Sequence, residues 1–145
     1  MPFPLRAVRF HASLWCQEAG RAYPAMVAPV VDGKGKFLAL HRTWLTAGGA
    51  KAPVATPKKV LGRYRGGLIR LWRGGCASDP ETGALRQTPR LAEVTAPVEV
   101  DLTEGIEDGL SVALACPEAR VVVAGVALAS MAAIRWPPAI GTIVY

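Results

Sequence analysis

The sequence predicts an α/β fold, α+β overall, in which a β-rich N-terminal lobe precedes a short parallel βαβαβ sheet. Three observations carry that prediction. Strong turn chemistry, Asp32-Gly33-Lys34-Gly35, separates two apolar runs rich in β-formers. After Pro97 the apolar period changes from two residues to helical spacing. The run Val121-Val122-Val123-Ala124 is unbroken and β-branched, as a strand covered on both faces would be.

The totals set the outer limits. A chain of 145 residues suits one domain of ordinary size, or one domain with an extra lobe. With 51% hydrophobic residues it can build a real core. No apolar run approaches the roughly 18 residues of a membrane span. Met1-Pro2-Phe3-Pro4 lacks the charged start and apolar centre of a signal peptide. A cytoplasmic location without a membrane partner is therefore expected. Cys16, Cys76 and Cys116 are odd in number and widely spaced, which does not suggest a disulfide framework. His11, Cys16, His41 and Cys76 match no recurrent zinc spacing.

The formal charge is +6, and it is unevenly placed. Between Gly33 and Ser78 there is no Asp or Glu, but there are ten Lys and Arg residues; most of the acids follow, from Asp79 to Asp108. A basic block joined to an acidic one suggests a polyanion-facing lobe beside one with carboxylate chemistry. A solvated basic face without a partner is the competing reading.

The N-terminal elements follow from local pattern. Phe3, Leu5, Val8 and Phe10 suit a short extended piece, with Leu14 and Trp15 packed on the body. Tyr23 to Leu45 reads as a hairpin, and Pro29 marks its first strand as an edge or a bulge. In the second strand Leu38, Leu40, Arg42 and Trp44 share a face. Either Arg42 and Trp44 grip a nucleotide by charge and stacking, or Trp44 is core and Arg42 snorkels outward. Thr46 to Lys59 reads as a loop, with Lys51, Lys58 and Lys59 placed to clamp phosphates. Leu68 to Trp72 is the next strand. Before it, Arg63-Tyr64-Arg65-Gly66-Gly67 is either a close-approach ligand loop or simply a turn. Gly74 to Ala96, rich in small and polar residues, reads as a linker with a short ordered piece near Arg90 to Val94. The expected organisation is a basic lobe over 1–75, a linker over 76–96 and a second unit over 97–145.

In that second unit Val98, Val100 and Leu102 alternate with Glu99 and Asp101, predicting a strand with one polar face. Ile106 to Cys116 follows as a helix, with Glu107 and Asp108 in the first turn, where the helix dipole favours acids. Arg120 to Ala127 is a strand, Leu128, Met131, Ala132 and Arg135 suit a short helix closed by Pro137-Pro138, and Gly141 to Tyr145 is a further strand. Strands and helices alternating in this way build right-handed βαβ units. Glu104 then sits at a strand's carboxyl end, ahead of Gly105 and a helix N-terminus, facing the crevice where such sheets bind ligands.

The stretch Leu102-Thr103-Glu104-Gly105-Ile106-Glu107-Asp108-Gly109-Leu110-Ser111 resembles the first motif of the Toprim domain shared by topoisomerases and primases. It is most similar to the branch found in phage- and plasmid-type primase and primase-helicase proteins. Tyr23 to Val30, His41 to Leu45, Lys51 to Pro53, Gly66 to Leu71, Leu128 to Met131 and Trp136 to Pro138 extend the resemblance over most of Tyr23 to Tyr145. It implies a DNA primase-like role in replication, with Mg²⁺-dependent nucleotidyl transfer in the intact protein. Single-stranded DNA or nucleotides would be its ligands, and a helicase or other replication proteins its partners. Glu104 would be catalytic and metal-binding, supported by Gly105, with Asp108 a remote second carboxylate. Arg42, Lys51, Lys58, Lys59, Arg63, Arg65 and Arg70 would bind nucleic acid. Two features depart from the family. The Asp-x-Asp motif that holds its metal after the third core strand is absent, as the sequence ends at Tyr145, and no zinc-binding cysteine set precedes the region. A fragment with a weak or missing Mg²⁺ site, inactive alone, is thus expected. The alternative is a non-catalytic nucleic-acid-binding module, or a regulatory remnant of a mobile element.

Overall fold

The computed structural model describes residues 7–72, 75–78, 81–82, 85–87, 97–115 and 121–145. The expected cap of the first helix at Cys116-Pro117, the piece near Arg90 to Val94, and Arg73 lie outside them. The fold is mixed and sheet-rich. Its elements run β1 (Arg9–Cys16), β2 (Arg21–Val31), β3 (Phe37–Trp44), β4 (Lys58–Gly62), β5 (Leu68–Trp72), β6 (Gly75–Ser78), β7 (Leu85–Gln87), β8 (Val98–Thr103), α1 (Ile106–Ala115), β9 (Val121–Gly125), α2 (Leu128–Met131) and β10 (Ile140–Val144). The strands β6 and β7 pair with each other as a separate two-stranded sheet inside the stretch read as a linker.

Among the described residues one eight-stranded sheet has the order β10-β8-β9-β5-β2-β3-β4, with β1 also on β2. Its N-terminal strands pair antiparallel, whereas β8 is parallel to both β9 and β10. The antiparallel pairing of β5 with β9 joins the two parts into one sheet.

The hairpin forms where its turn residues place it. Asp32 Oδ1 accepts from the backbone N–H groups of Lys34 and Lys36 at 2.9 and 2.8 Å. These bonds, that from Lys36 first, hold the Asp32 carboxyl below its usual range. Pro29 pairs with Leu40 of β3, and the register of that ladder shifts just beyond it, between Val30 and Val31. Leu45 N–H bonds to Pro24 O, which sets the parity of the β2–β3 ladder. The nitrogen of Pro29 therefore faces the opposite edge of β2, where β1 pairing reaches only Val27 and β5 pairing begins at Val31. A missing N–H costs nothing in that gap.

Two cores cover the sheet's two faces. Ala28, Val30, Ala39, Ile69, Leu71, Val122 and Ala124 pack with Ile106 and Ala113 of α1. Leu68, Val100, Leu102, Val121 and Val123 pack on the other face with Ile134, Met131 and Trp136, around and after α2. Helices on opposite faces agree with the strand order: β8 leads to β9 on one side, and β9 leads back across β8 to β10 on the other. β9 is buried throughout, as its unbroken apolar run requires.

Three expectations are corrected. Trp15 is 61% exposed, because on β1 it alternates with the inward Leu14 and Cys16. Lys58 and Lys59 are not the end of a loop but the start of β4, paired in register with β3. The polar face of β8 is not solvated at Asp101, which is only 5% exposed between the buried Val100 and Leu102. No helix among the described residues is long and apolar enough to cross a membrane.

A candidate polyanion cleft at the carboxyl ends of the parallel strands

The first turn of α1 meets the basic strands across a cleft of about 440 Å³. Its acidic side is the β8–α1 turn, Glu104, Gly105, Glu107 and Asp108. Gly125 and Val126, at the carboxyl end of β9, close one end, and Ile69 of β5 contributes apolar wall. His41, Lys51 and Lys58 come from β3, the loop after it and β4.

Alternation explains which side chains arrive here. Ala39 of β3 packs in the core under α1, so His41, two residues on, points to the same face. Lys58 pairs with Thr43 in register and joins that face, while Lys59 pairs with Arg42 and takes the other. Lys51 is carried in by its bridge to Leu45. Thr103 Oγ donates to Gly105 O at 2.9 Å and fixes the turn that presents Glu104.

Charge in the cleft is partly internal. Lys58 Nζ lies 2.7 Å from Glu107 Oε1, and Lys51 Nζ lies 3.8 Å from it. Burial pushes the Glu107 carboxyl up, but the Lys58 hydrogen bond and the two ammonium charges outweigh it and leave it below the usual range. His41 is 8% exposed, and its Nδ1 makes no hydrogen bond. Burial, then the Lys58 charge, lowers its pKa from the ordinary 6.5; Glu107 opposes this in part. A buried imidazole with an unused ring nitrogen faces the same cleft as two lysines and a free-standing glutamate.

The residues expected to bind nucleic acid do not form one patch. Lys51 and Lys58 line the cleft with Glu104, Gly105 and Asp108. Arg42 lies over the Trp44 ring on the opposite face, 5.1 Å from its centroid. Trp44 is core: it is 2% exposed, and its indole N–H donates to Leu14 O at 3.2 Å. Lys59 pairs with Glu18 at 3.2 Å. Arg70 donates to Gly33 O at 2.9 Å and so ties β5 to the hairpin turn. Arg63 and Arg65 flank Tyr64 at a true turn, closed by Gly67 N–H to Tyr64 O at 2.8 Å. Asp101 does not line the cleft. His41 was missed as a cleft residue; its place two positions after Ala39 on an inward-facing strand edge was the available signal.

The fold and cleft thus define a mixed α/β protein with a basic and acidic crevice at its strands' carboxyl ends. A family model described as a domain of unknown function (DUF7146) matches residues 1–71. No curated protein matches the chain, and no solved structure does.

Proposed function

We propose that this cleft binds the phosphates of single-stranded DNA or nucleotides, as part of a primase-like, Toprim-type nucleotidyl-transfer unit. One observation carries the reading: the Glu104-Gly105 turn, which resembles the first Toprim motif, opens into the same crevice as Lys51, Lys58 and His41. The lysines would neutralise phosphates, and the first turn of α1 would add its backbone N–H groups. Glu104, exposed at the strand end, is the carboxylate available for acid/base work at a phosphoryl group.

Among the described residues no group of three or more His, Cys, Asp or Glu is placed to hold a metal. Glu107 is engaged by lysine, leaving Glu104 and Asp108. That donor set fits Mg²⁺ arriving with a nucleotide, whose phosphates and waters complete the octahedron, better than a resident ion. Bound in this way, Mg²⁺ would polarise a phosphoryl oxygen. Glu104 and Asp108 would hold it, while Lys51 and Lys58 orient the phosphate chain.

Fluorescence anisotropy with a labelled single-stranded oligonucleotide tests the reading. Affinity should fall with salt by roughly 0.7 log per neutralised phosphate for each log unit. Lys51→Gln with Lys58→Gln should lower both affinity and slope, and Glu104→Gln should remove any gain from Mg²⁺ on nucleoside triphosphate binding. A flat salt response, or identical behaviour of the lysine variants, would overturn it.

A further inference from the structure

We propose that a second cleft, between the Arg63–Arg65 turn and α2, is a base-accepting subsite for the same single strand. It has a volume of about 420 Å³ and is lined by Gly62, Arg63, Tyr64, Arg65, Ala127, Ala129 and Ser130. That size lies within the range of small-molecule sites.

The lining is mainly small and apolar, which suits the flat face of a base. Tyr64 is 36% exposed and brings an aromatic ring to the rim. The guanidinium-bearing Arg63 and Arg65 are exposed on either side of it, with no carboxylate in the lining. An aromatic ring between two cations, over an apolar floor, is the chemistry that holds an unstacked base and its flanking phosphates.

The subsite is built rather than incidental. Ser130 is 5% exposed, and its Oγ accepts from Gly66 N–H at 3.2 Å and donates to Tyr64 O at 3.3 Å. One side chain therefore fixes the Arg63–Arg65 turn against α2. The two linings meet at consecutive residues of the β9–α2 turn. Val126 lines the first and Ala127 the second, and successive Cα atoms stand about 3.8 Å apart. One strand can reach both by crossing the β9–α2 turn.

The inference rests on the polynucleotide reading of the first cleft, so its test separates the two. Anisotropy is measured with a short oligothymidylate and with an abasic oligonucleotide of the same length. Wild-type protein should prefer the base-bearing strand. Tyr64→Leu keeps the apolar floor and the backbone bond to Ser130. It should weaken binding of the base-bearing strand roughly 5- to 150-fold and leave the abasic strand unchanged. Arg63→Gln with Arg65→Gln should weaken both strands and reduce the salt slope. If the wild type binds both strands equally, or Tyr64→Leu weakens both alike, the base subsite is overturned while the first cleft's reading stands. If the wild type binds neither at low salt, both are overturned.

Discussion

Lys58 of β4 and Glu107 of α1 form an ion pair at 2.7 Å, and both side chains line the candidate cleft. It links the basic strands to the helix that follows the Glu104-Gly105 turn. Both side chains are substantially exposed, at 36% and 50%, so the pair contributes little to stability, on the order of 0.2–1 kcal/mol. Its effect should fall on binding. A phosphate bound as proposed would compete with Glu107 for the same ammonium groups. Glu107→Gln should therefore tighten oligonucleotide binding several-fold and steepen its salt dependence, with only a small change in thermal midpoint. Anisotropy and calorimetry on the same preparation check this.

His41 should make stability and binding respond to pH in opposite directions. Its pKa is lowered in the folded chain, chiefly by burial. The unfolded chain then binds more protons between the folded value and about 6.5. Stability from the neutral imidazole is complete above that upper value and is lost as pH falls through the folded one. The slope can reach about 1.4 kcal/mol per pH unit. A phosphate bound in the cleft as proposed would favour the imidazolium, so oligonucleotide affinity should rise as pH falls below 7. His41→Gln should flatten both trends, measured by denaturant midpoints and anisotropy across the range. Exposed His11 is present in both proteins and cancels in the comparison.

Trp44 should behave as core and not as a stacking platform. Trp44→Ala should cost about 3–5 kcal/mol, in line with large truncations in packed interiors. Trp44→Phe keeps most of the apolar body but loses the indole bond to Leu14, at a cost of about 1 kcal/mol. Where Trp44→Phe is fully folded, its oligonucleotide affinity should equal that of the wild type. A loss of affinity without a loss of stability would place the ring in the binding surface.

The element types were legible because their signals are local. Asp32-Gly33 turns the hairpin, Val121 to Ala124 carries an all-buried strand, and Glu107-Asp108 opens a helix. What could not be read depended on partners far along the chain. Lys58-Lys59 looks like loop, because only its register against Arg42 and Thr43 makes it a strand and sends the two lysines to opposite faces. Asp101 looks like the solvated member of an alternating strand, because the burial of that face is set outside β8. The cleft was half legible. Glu104, Gly105, Asp108, Lys51 and Lys58 were named from sequence and meet there, whereas His41 enters through β3 alternation and Arg42, Lys59 and Arg70 are directed elsewhere.

Gly66 and Gly20 separate backbone strain from steric exclusion. Both have positive φ, +71° and +59°, which L side chains seldom adopt. A methyl group on Gly20 would meet nothing within 4 Å. On Gly66 it would come 2.5 Å from the carbonyl oxygen of Ala133, a backbone atom that cannot rotate away. Gly20→Ala should thus cost only the left-handed penalty, about 1 kcal/mol. Gly66→Ala should cost that and more, at least about 2 kcal/mol in all, because the Tyr64–Gly67 turn or the segment after α2 must shift. The same shift would pull Gly66 N–H from Ser130 and open the Arg63–Arg65 cleft. Gly66→Ala should therefore reduce the preference for base-bearing over abasic strands, and Gly20→Ala should leave it intact. Urea denaturation paired with the two oligonucleotides measures both effects, and equal stability costs at the two glycines would show that Ala133 does not confine the turn.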